Sequence, residues 1–173
     1  MNKNSSAHAH AYKAREGIIS AISVGAVFIL IGTIYVTTLP TPLWDKIVSF
    51  FGSFDIVKVS DQISLPAPAA PGTHTVVYNA AFQFCIGLAI LQVILLTLRL
   101  MLHSPISKTA ETAGNLVYWF GASYLVSTFL NSATDVPTWF AFWAAILMVL
   151  GVSMIARALV LFAKKLVQMR NQH

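Results

Sequence analysis

Residues 138–163, TWFAFWAAILMVLGVSMIARALVLFA, form an apolar stretch with a single charged side chain, Arg157. A helix of about 20 residues is enough to cross a hydrocarbon core of about 30 Å, so this stretch predicts a membrane-spanning helix. The rest of the chain has the same character, because 57% of its 173 residues are hydrophobic, 10% are charged and the mean hydropathy is +0.72. Soluble domains carry about 25% charged residues. The composition therefore predicts an integral membrane protein.

Three further stretches are long and apolar enough to span a membrane, at residues 18–38, 79–101 and 112–131. Together with 138–163 they predict an all-α membrane protein, a four-transmembrane-helix bundle. We expect one membrane domain over residues 17–165, with an extracytoplasmic loop at 39–78. Polar tails at 1–16 and 166–173 would flank this domain.

The distribution of Lys and Arg predicts the orientation of the bundle. Eight of these residues lie in the N-terminal segment, the second link and the C-terminal segment, whereas the first and third links contain only Lys46 and Lys58. Because positive charge concentrates on the cytoplasmic side, we expect a multi-pass protein of the cell membrane with both termini in the cytoplasm. The same distribution explains the pI of about 9.6 without a nucleic-acid partner.

The extracytoplasmic loop contains a predicted amphipathic helix over residues 42–54, with Thr41 as its cap and Pro42 at its first position. Trp44 and Phe51 lie on its apolar face and are expected to anchor it in the membrane interface. The segment DIVKVSDQISL (55–65) alternates like a strand and would pair with THTVVY (73–78). Alternatively, the Pro-rich segment LPAPAAPG (65–72) is an extended tether.

Small residues recur every seven positions in the predicted spans, which indicates where the helices approach each other. Gly25 and Gly32 form one such pair, Gly114 and Gly121 another, and Ala144, Gly151 and Ala158 a third set. Close backbone approach drives helix association in membranes, and a seven-residue repeat favours left-handed packing.

Arg157 requires a partner or a route to water, because an isolated charge in a span is unfavourable by about 3 kcal/mol or more. Glu111 lies 20 residues before Asn131 and Arg157 lies 19 residues after Thr138, so the two are at similar depth. We therefore predict a structural ion pair between Glu111 and Arg157. The alternatives are contact with water or lipid phosphate at the interface, and a role in substrate binding.

The sequence contains little that points to catalysis. No carboxylate lies deep in a predicted span, no histidine lies within one, and there is no Ser-His-Asp arrangement, phosphate loop or metal-spaced cluster. The single cysteine, Cys85, excludes an intrachain disulfide. Asn79 and Gln83 share a helix face and are the best candidates for a polar groove. We predict no catalytic, cofactor-binding or metal site, and no cofactor.

These features favour a non-catalytic structural or accessory subunit of a larger integral-membrane complex, for example an oxidoreductase. Its partners would be membrane lipids and other integral-membrane subunits. The alternative is a small channel or carrier, a homo-oligomer whose pore forms between protomers. An enzyme is disfavoured because no nucleophile, base and metal set is present.

Overall fold

The computed structural model describes residues 3–60, 62–102 and 104–170, with side chains within 16–59, 62–102 and 104–163. This part of the chain forms five α-helices and one two-stranded antiparallel sheet. The elements in chain order are α1 (Lys3–Thr37), α2 (Leu43–Gly52), β1 (Phe54–Ser60), β2 (Ile63–Pro68), α3 (Thr75–Met101), α4 (Ile106–Phe129) and α5 (Val136–Arg170). The fold is mostly helical, as predicted. It also contains a small two-stranded sheet, so it is not purely α-helical. The helix α1 begins at Lys3, within the segment predicted as a polar tail.

Three helices in the described part of the chain are long and apolar enough to cross a membrane. Their apolar segments are Glu16–Thr37 in α1, Thr75–Met101 in α3 and Val136–Ala163 in α5. The helix α4, which contains the fourth predicted span, has 24 residues and a length of about 36 Å. It is not among the three, because polar residues such as Thr112, Asn115 and Ser123 lower its mean hydropathy.

The four long helices pack as antiparallel neighbours in the order α1, α3, α4 and α5. Gly87 of α3 faces Leu30 of α1, and the ring of Phe84 on α3 lies 6.2 Å from that of Trp119 on α4. In a closed four-helix bundle the first and last helices of such a series would also pack together. Here the main contacts of α1 are with α3 and those of α5 are with α4.

Two glycines of α4 allow the close approach of α5. A Cβ atom at Gly114 would lie 3.1 Å from the Ser153 carbonyl oxygen and 3.2 Å from Arg157 Cβ, and one at Gly121 would collide with Val149. The predicted contact face of α4 is therefore confirmed. A Cβ atom added at Gly25 or Gly32 of α1, or at Gly151 of α5, would meet nothing within 4 Å, so these three are not contact positions.

The helix α2 begins one residue later than predicted and presents a different face to the bundle. Pro42 is the N-terminal cap, and its extended backbone places the first helical residue at Leu43, with no side-chain cap from Thr41. Leu43 and Phe50 are the buried side chains of α2. Trp44 and Phe51, the predicted interfacial anchors, are each 68% exposed, and their role as anchors stays a prediction.

The loop after α2 is a hairpin, but its strands differ from the predicted pair. Asp55 pairs with Ala67 and Val57 pairs with Leu65, so the Pro-rich segment itself forms the second strand. Both strands are edges of a two-stranded sheet, where a proline that lacks an N–H group is tolerated. The segment THTVVY lies instead mostly in the first turns of α3.

A short 3₁₀ turn, Pro71–Thr73, connects the hairpin to α3 and lies against the α4–α5 turn. A Cβ atom at Gly72 would be only 2.5 Å from the carbonyl oxygen of Ser132. The hairpin, the 3₁₀ turn and the α4–α5 turn thus lie at the same end of the molecule, which we call the hairpin end. The α3–α4 turn lies at the opposite end.

We expect Gly114→Leu to destabilise the packing of α4 on α5, because the new side chain would meet the backbone of Ser153. Overpacking of a close contact typically reduces the free energy of unfolding by about 1–3 kcal/mol. Gly151→Leu is the matched control, since it places the same side chain in open space on α5. Thermal unfolding in detergent micelles would separate the two variants. Equal stability of both would contradict the observed contact.

Candidate functional site

An aromatic cluster at the hairpin end fixes α2 to the long helices. Phe50 of α2 lies at its centre, with its ring centroid 5.2 Å from Phe54, 5.1 Å from His74 and 5.9 Å from Trp139. These are edge-on arrangements, which aromatic rings prefer to face-to-face stacking. The cluster links α2, β1, the start of α3 and the start of α5, so it determines how the hairpin end closes over the bundle.

Tyr78 is the polar support of this cluster. Its side chain is 3% exposed, and its hydroxyl donates a 2.8 Å hydrogen bond to the carbonyl oxygen of Pro71 in the 3₁₀ turn. The ring of Tyr78 lies 6.4 Å from that of Trp139. A buried hydroxyl needs such a partner, and the bond holds the turn against α3.

A large apolar cavity lies below this cluster, in a groove that we call the aromatic groove. Its volume is about 750 Å³. Its floor and walls come from α3 (Ala81, Cys85), α4 (Tyr118, Ala122) and α5 (Trp143, Ile146). Phe54 and Leu65 cover its upper end. Ligand cavities typically measure about 300–1,000 Å³, so the groove is large enough for a small molecule or part of a lipid.

A second apolar cavity of about 490 Å³ lies between α1, α2 and α3. It shares Phe50, Phe51 and Ala81 with the aromatic groove. The helix α2 therefore stands between two apolar cavities, with Phe50 directed into the cluster and Trp44 at the edge of the second cavity.

The predicted polar groove is only partly formed. Asn79 lines a cavity of about 330 Å³ at the hairpin end, together with Ser127 of α4 and Asn131 of the α4–α5 turn. Gln83 does not line this cavity, and its Oε1 atom instead lies 3.5 Å from the Thr37 hydroxyl of α1. The Thr37 hydroxyl also donates to the carbonyl of Ile34 at 3.1 Å, so the contact with Gln83 is a weak one.

A small polar cavity of about 230 Å³ contains His74, Lys46 and Ser49. The Ser53 hydroxyl donates to the Phe50 carbonyl at 2.7 Å and lies 3.0 Å from Nε2 of His74. Because a hydroxyl has only one proton, Nε2 of His74 is the donor in the second bond. Burial, and next the charge of Lys46, lower the pKa of His74 below its ordinary value of 6.5.

The predicted ion pair between Glu111 and Arg157 is not formed in the described residues. Glu111 lies 3.1 Å from Lys108 on its own helix, with both side chains nearly half exposed. Arg157 packs with its Cβ over Gly114, one helical turn away from Glu111, and it is exposed. The two side chains do not pair in this arrangement, but their helices are in contact and the two residues lie about one turn apart, within the reach of an arginine side chain.

A different ion pair joins the helices at the end opposite the hairpin. Nη2 of Arg99 on α3 lies 3.7 Å from Oε2 of Glu16 on α1, and the side chains are 15% and 20% exposed. Arg99 Nη1 also donates to the Lys108 carbonyl, which connects α3 to α4. Glu16 Oε1 and Arg99 Nε are buried without a hydrogen-bond partner among the described residues. The sequence reasoning missed this pair because it assigned Glu16 to the polar tail.

The described residues contain no group of three or more His, Cys, Asp or Glu side chains placed to bind a metal ion. What the arrangement offers is apolar contact surface, two apolar cavities and isolated polar groups. No protein-family model matches this chain, and no curated protein or solved structure is similar to it.

We predict a specific coupling between Glu16 and Arg99. Glu16→Gln and Arg99→Gln should each destabilise the protein, and the double variant should lose less than the two separate losses, with a coupling of about 0.5–3 kcal/mol. The cycle of Lys108→Gln and Glu111→Gln is the control, because that pair is exposed and is expected to contribute less than about 1 kcal/mol. Additive losses in the first cycle would show that α1 and α3 are not joined by this pair.

We also predict that acid weakens the hairpin end through His74. Its pKa in the folded protein is below 6.5, so the unfolded chain binds more protons there, and stability falls as the pH drops below about 6.5. Wild type should therefore lose more thermal stability between about pH 7.5 and pH 5 than His74→Gln, which can still donate to Ser53. The hydrogen bond with Thr138 lowers the pKa of Asp135 below 3.8. Its effect on stability therefore lies at lower pH than the interval between about pH 5 and pH 7.5. Equal losses of thermal stability in wild type and His74→Gln would show that His74 does not cause the acid effect.

Proposed function

We propose that this chain is a non-catalytic structural or accessory subunit of a larger integral-membrane complex, such as an oxidoreductase. The observation that carries the proposal is the open row of long helices. In an 18-residue apolar stretch of α1 and in one of α5, only 11% of the residues are buried within the chain. A closed bundle would cover a much larger share of both helices.

The exposed surface of α5 covers slightly more than half of the helix circumference. Leu147, Met148, Leu150, Val152, Met154 and Ile155 are between 45% and 68% exposed. Consecutive positions are separated by about 100° on a helix, so this set is not confined to one face. Lipid can cover such a surface, and so can other chains. The surface of α1 and α5 that the chain itself leaves uncovered is where another chain would dock in the proposed complex.

We further propose that α4 is a fourth span, so that the chain crosses the membrane four times and both termini are cytoplasmic. The helix α4 packs between α3 and α5, and both of these are apolar enough to cross a membrane. Its buried threonine and serine hydroxyls donate to backbone carbonyls one turn earlier, as Thr112 does to Lys108 at 2.9 Å and Ser123 to Phe120 at 2.8 Å. Internal hydrogen bonds lower the free-energy cost of placing hydroxyls in a membrane.

Left-handed packing of α4 and α5 and an ion pair between Glu111 and Arg157 are part of the same proposal. The seven-residue spacing of Gly114 and Gly121 on the contact face of α4 supports the first. A side-chain rotation of Arg157 toward the α3–α4 turn would bring it to the level of Glu111.

The topology can be tested with single cysteines in a Cys85→Ala background. Ser64→Cys in the hairpin should react with a membrane-impermeant thiol reagent in intact cells, because the hairpin end is expected outside the cytoplasm. Ser107→Cys in the first turn of α4 is the matched control and should react only after the membrane is opened. Both positions are exposed, so access of the reagent depends on the side of the membrane. The reverse pattern would invert the orientation, and reaction of both would show that α3 does not separate the two positions. Ala133→Cys in the α4–α5 turn, also exposed, tests the span α4. It should react in intact cells as Ser64→Cys does, and reaction only after the membrane is opened would disprove that span.

The subunit proposal can be tested by photo-crosslinking in native membranes. A photoreactive phenylalanine analogue in place of Leu147 or Ile29, on the exposed faces of α5 and α1, should cross-link to a different polypeptide. The same analogue at Val126, which is buried between the helices, should give no such product. Products that contain only a second copy of this chain would favour the oligomeric channel or carrier. Products with lipid alone would contradict a subunit role.

A further inference from the structure

We propose that the aromatic groove is a binding site for the hydrocarbon tail of a membrane lipid, held along the helix axes between α3 and α5. The proposal goes beyond the subunit role. It rests on one part of the proposed function, the location of the helices in a bilayer. It concerns a site inside the outline of the bundle, in contrast to the exposed faces of α1 and α5.

The shape of the groove matches an extended chain. Its lining residues on α4 run from Tyr118 to Leu130, which corresponds to about 18 Å along the helix axis at about 1.5 Å per residue. On α3 they run from Val77 to Cys85, or about 12 Å. The long dimension is therefore parallel to the spans, as lipid tails are in a bilayer.

The size of the groove favours a lipid tail over a helix of another chain. A helix with its side chains is about 10 Å wide and fills about 1,200 Å³ over a length of about 15 Å, whereas the groove has a volume of about 750 Å³. A hydrocarbon chain with carbon contacts of about 4 Å occupies about 200 Å³ over the same length. One or two tails fit within the groove, whereas a helix would enter only in part.

The surroundings of the groove also fit a hydrocarbon. Its mouth is bordered by Trp143 and Phe51, which are 50% and 68% exposed and continue into the apolar outer surface of α5 and α2. Tyr78 lines the groove, and its hydroxyl proton is already donated to Pro71, so it offers no donor to a polar ligand. The site therefore opens toward the region in which lipid tails lie, and it recognises them by apolar contact.

The tail site can be tested with a phosphatidylcholine whose acyl chain carries a diazirine near its middle. The full chain is reconstituted in vesicles of this lipid, irradiated and mapped by mass spectrometry. We expect labelling at groove residues such as Cys85 and Tyr118. The variant Ala122→Phe fills the groove from its floor and should reduce this labelling by about tenfold, the equivalent of about 1.4 kcal/mol in occupancy. Ala81→Phe fills the groove from α3 and gives the same reading if Ala122→Phe does not fold.

Phe28 and Ile29, which are 70% and 72% exposed on α1, serve as the internal control, because ordinary bilayer lipid should label them in every variant. Ala144→Phe on the exposed side of α5 is the matched control substitution and should leave groove labelling unchanged. Groove labelling that persists in both filled variants would overturn the proposal. So would labelling of Phe28 and Ile29 without labelling of the groove. Absence of labelling at all of these positions would instead show that the chain is not in the bilayer, and both proposals would then fail.

Discussion

The packing of α4 between α3 and α5 is the constraint on which the rest of the structure depends. Gly114 and Gly121 allow the backbone of α5 to approach, and α3 covers the other side of α4. The two turns that bound α4 are short, so both neighbours must be antiparallel to it. Because these three helices are fixed relative to one another, the hairpin packs over the adjoining ends of α3 and α5. The helix α1 joins this unit from one side, through α3.

The aromatic cluster around Phe50 holds α2 above the packed helices, so that cavities remain beneath it. Because Phe50 inserts between His74 and Trp139, α2 lies across the upper ends of the helices and does not fill the space between them. The space below it, lined by Trp143 and Tyr118, remains as the aromatic groove. The same side chains that stabilise the hairpin end thus leave apolar volume beneath it. The hydrogen bond from Tyr78 to Pro71 keeps the cover in position.

The sequence predicted the long helices well, because an apolar run of more than about 20 residues has few other structures available to it. It also predicted the contact face of α4, since only a few positions there lack a side chain. The hairpin was placed incorrectly because prolines argue against a strand, and only the pairing of β1 with β2 shows that both strands are free edges. The pair of Glu16 with Arg99 could have been found by the counting applied to Glu111 and Arg157. Glu16 lies 21 residues before Thr37 and Arg99 lies 24 residues after Thr75, in antiparallel helices. Equal depth along two helices, however, does not show whether their side chains point toward each other.

The polar character of α4 has a consequence for how the protein is made. A helix with threonines and serines such as Thr109 and Ser123 on its buried faces gains little by entering lipid alone, because those faces would meet hydrocarbon. Insertion becomes favourable once α3 or α5 covers them. The α3–α4 turn is short, so α3 and α4 can leave the insertion machinery together as a helical hairpin. Under the proposed four-span topology, membrane integration of this chain is a cooperative step of paired helices, and it ends when α5 closes over Gly114 and Gly121.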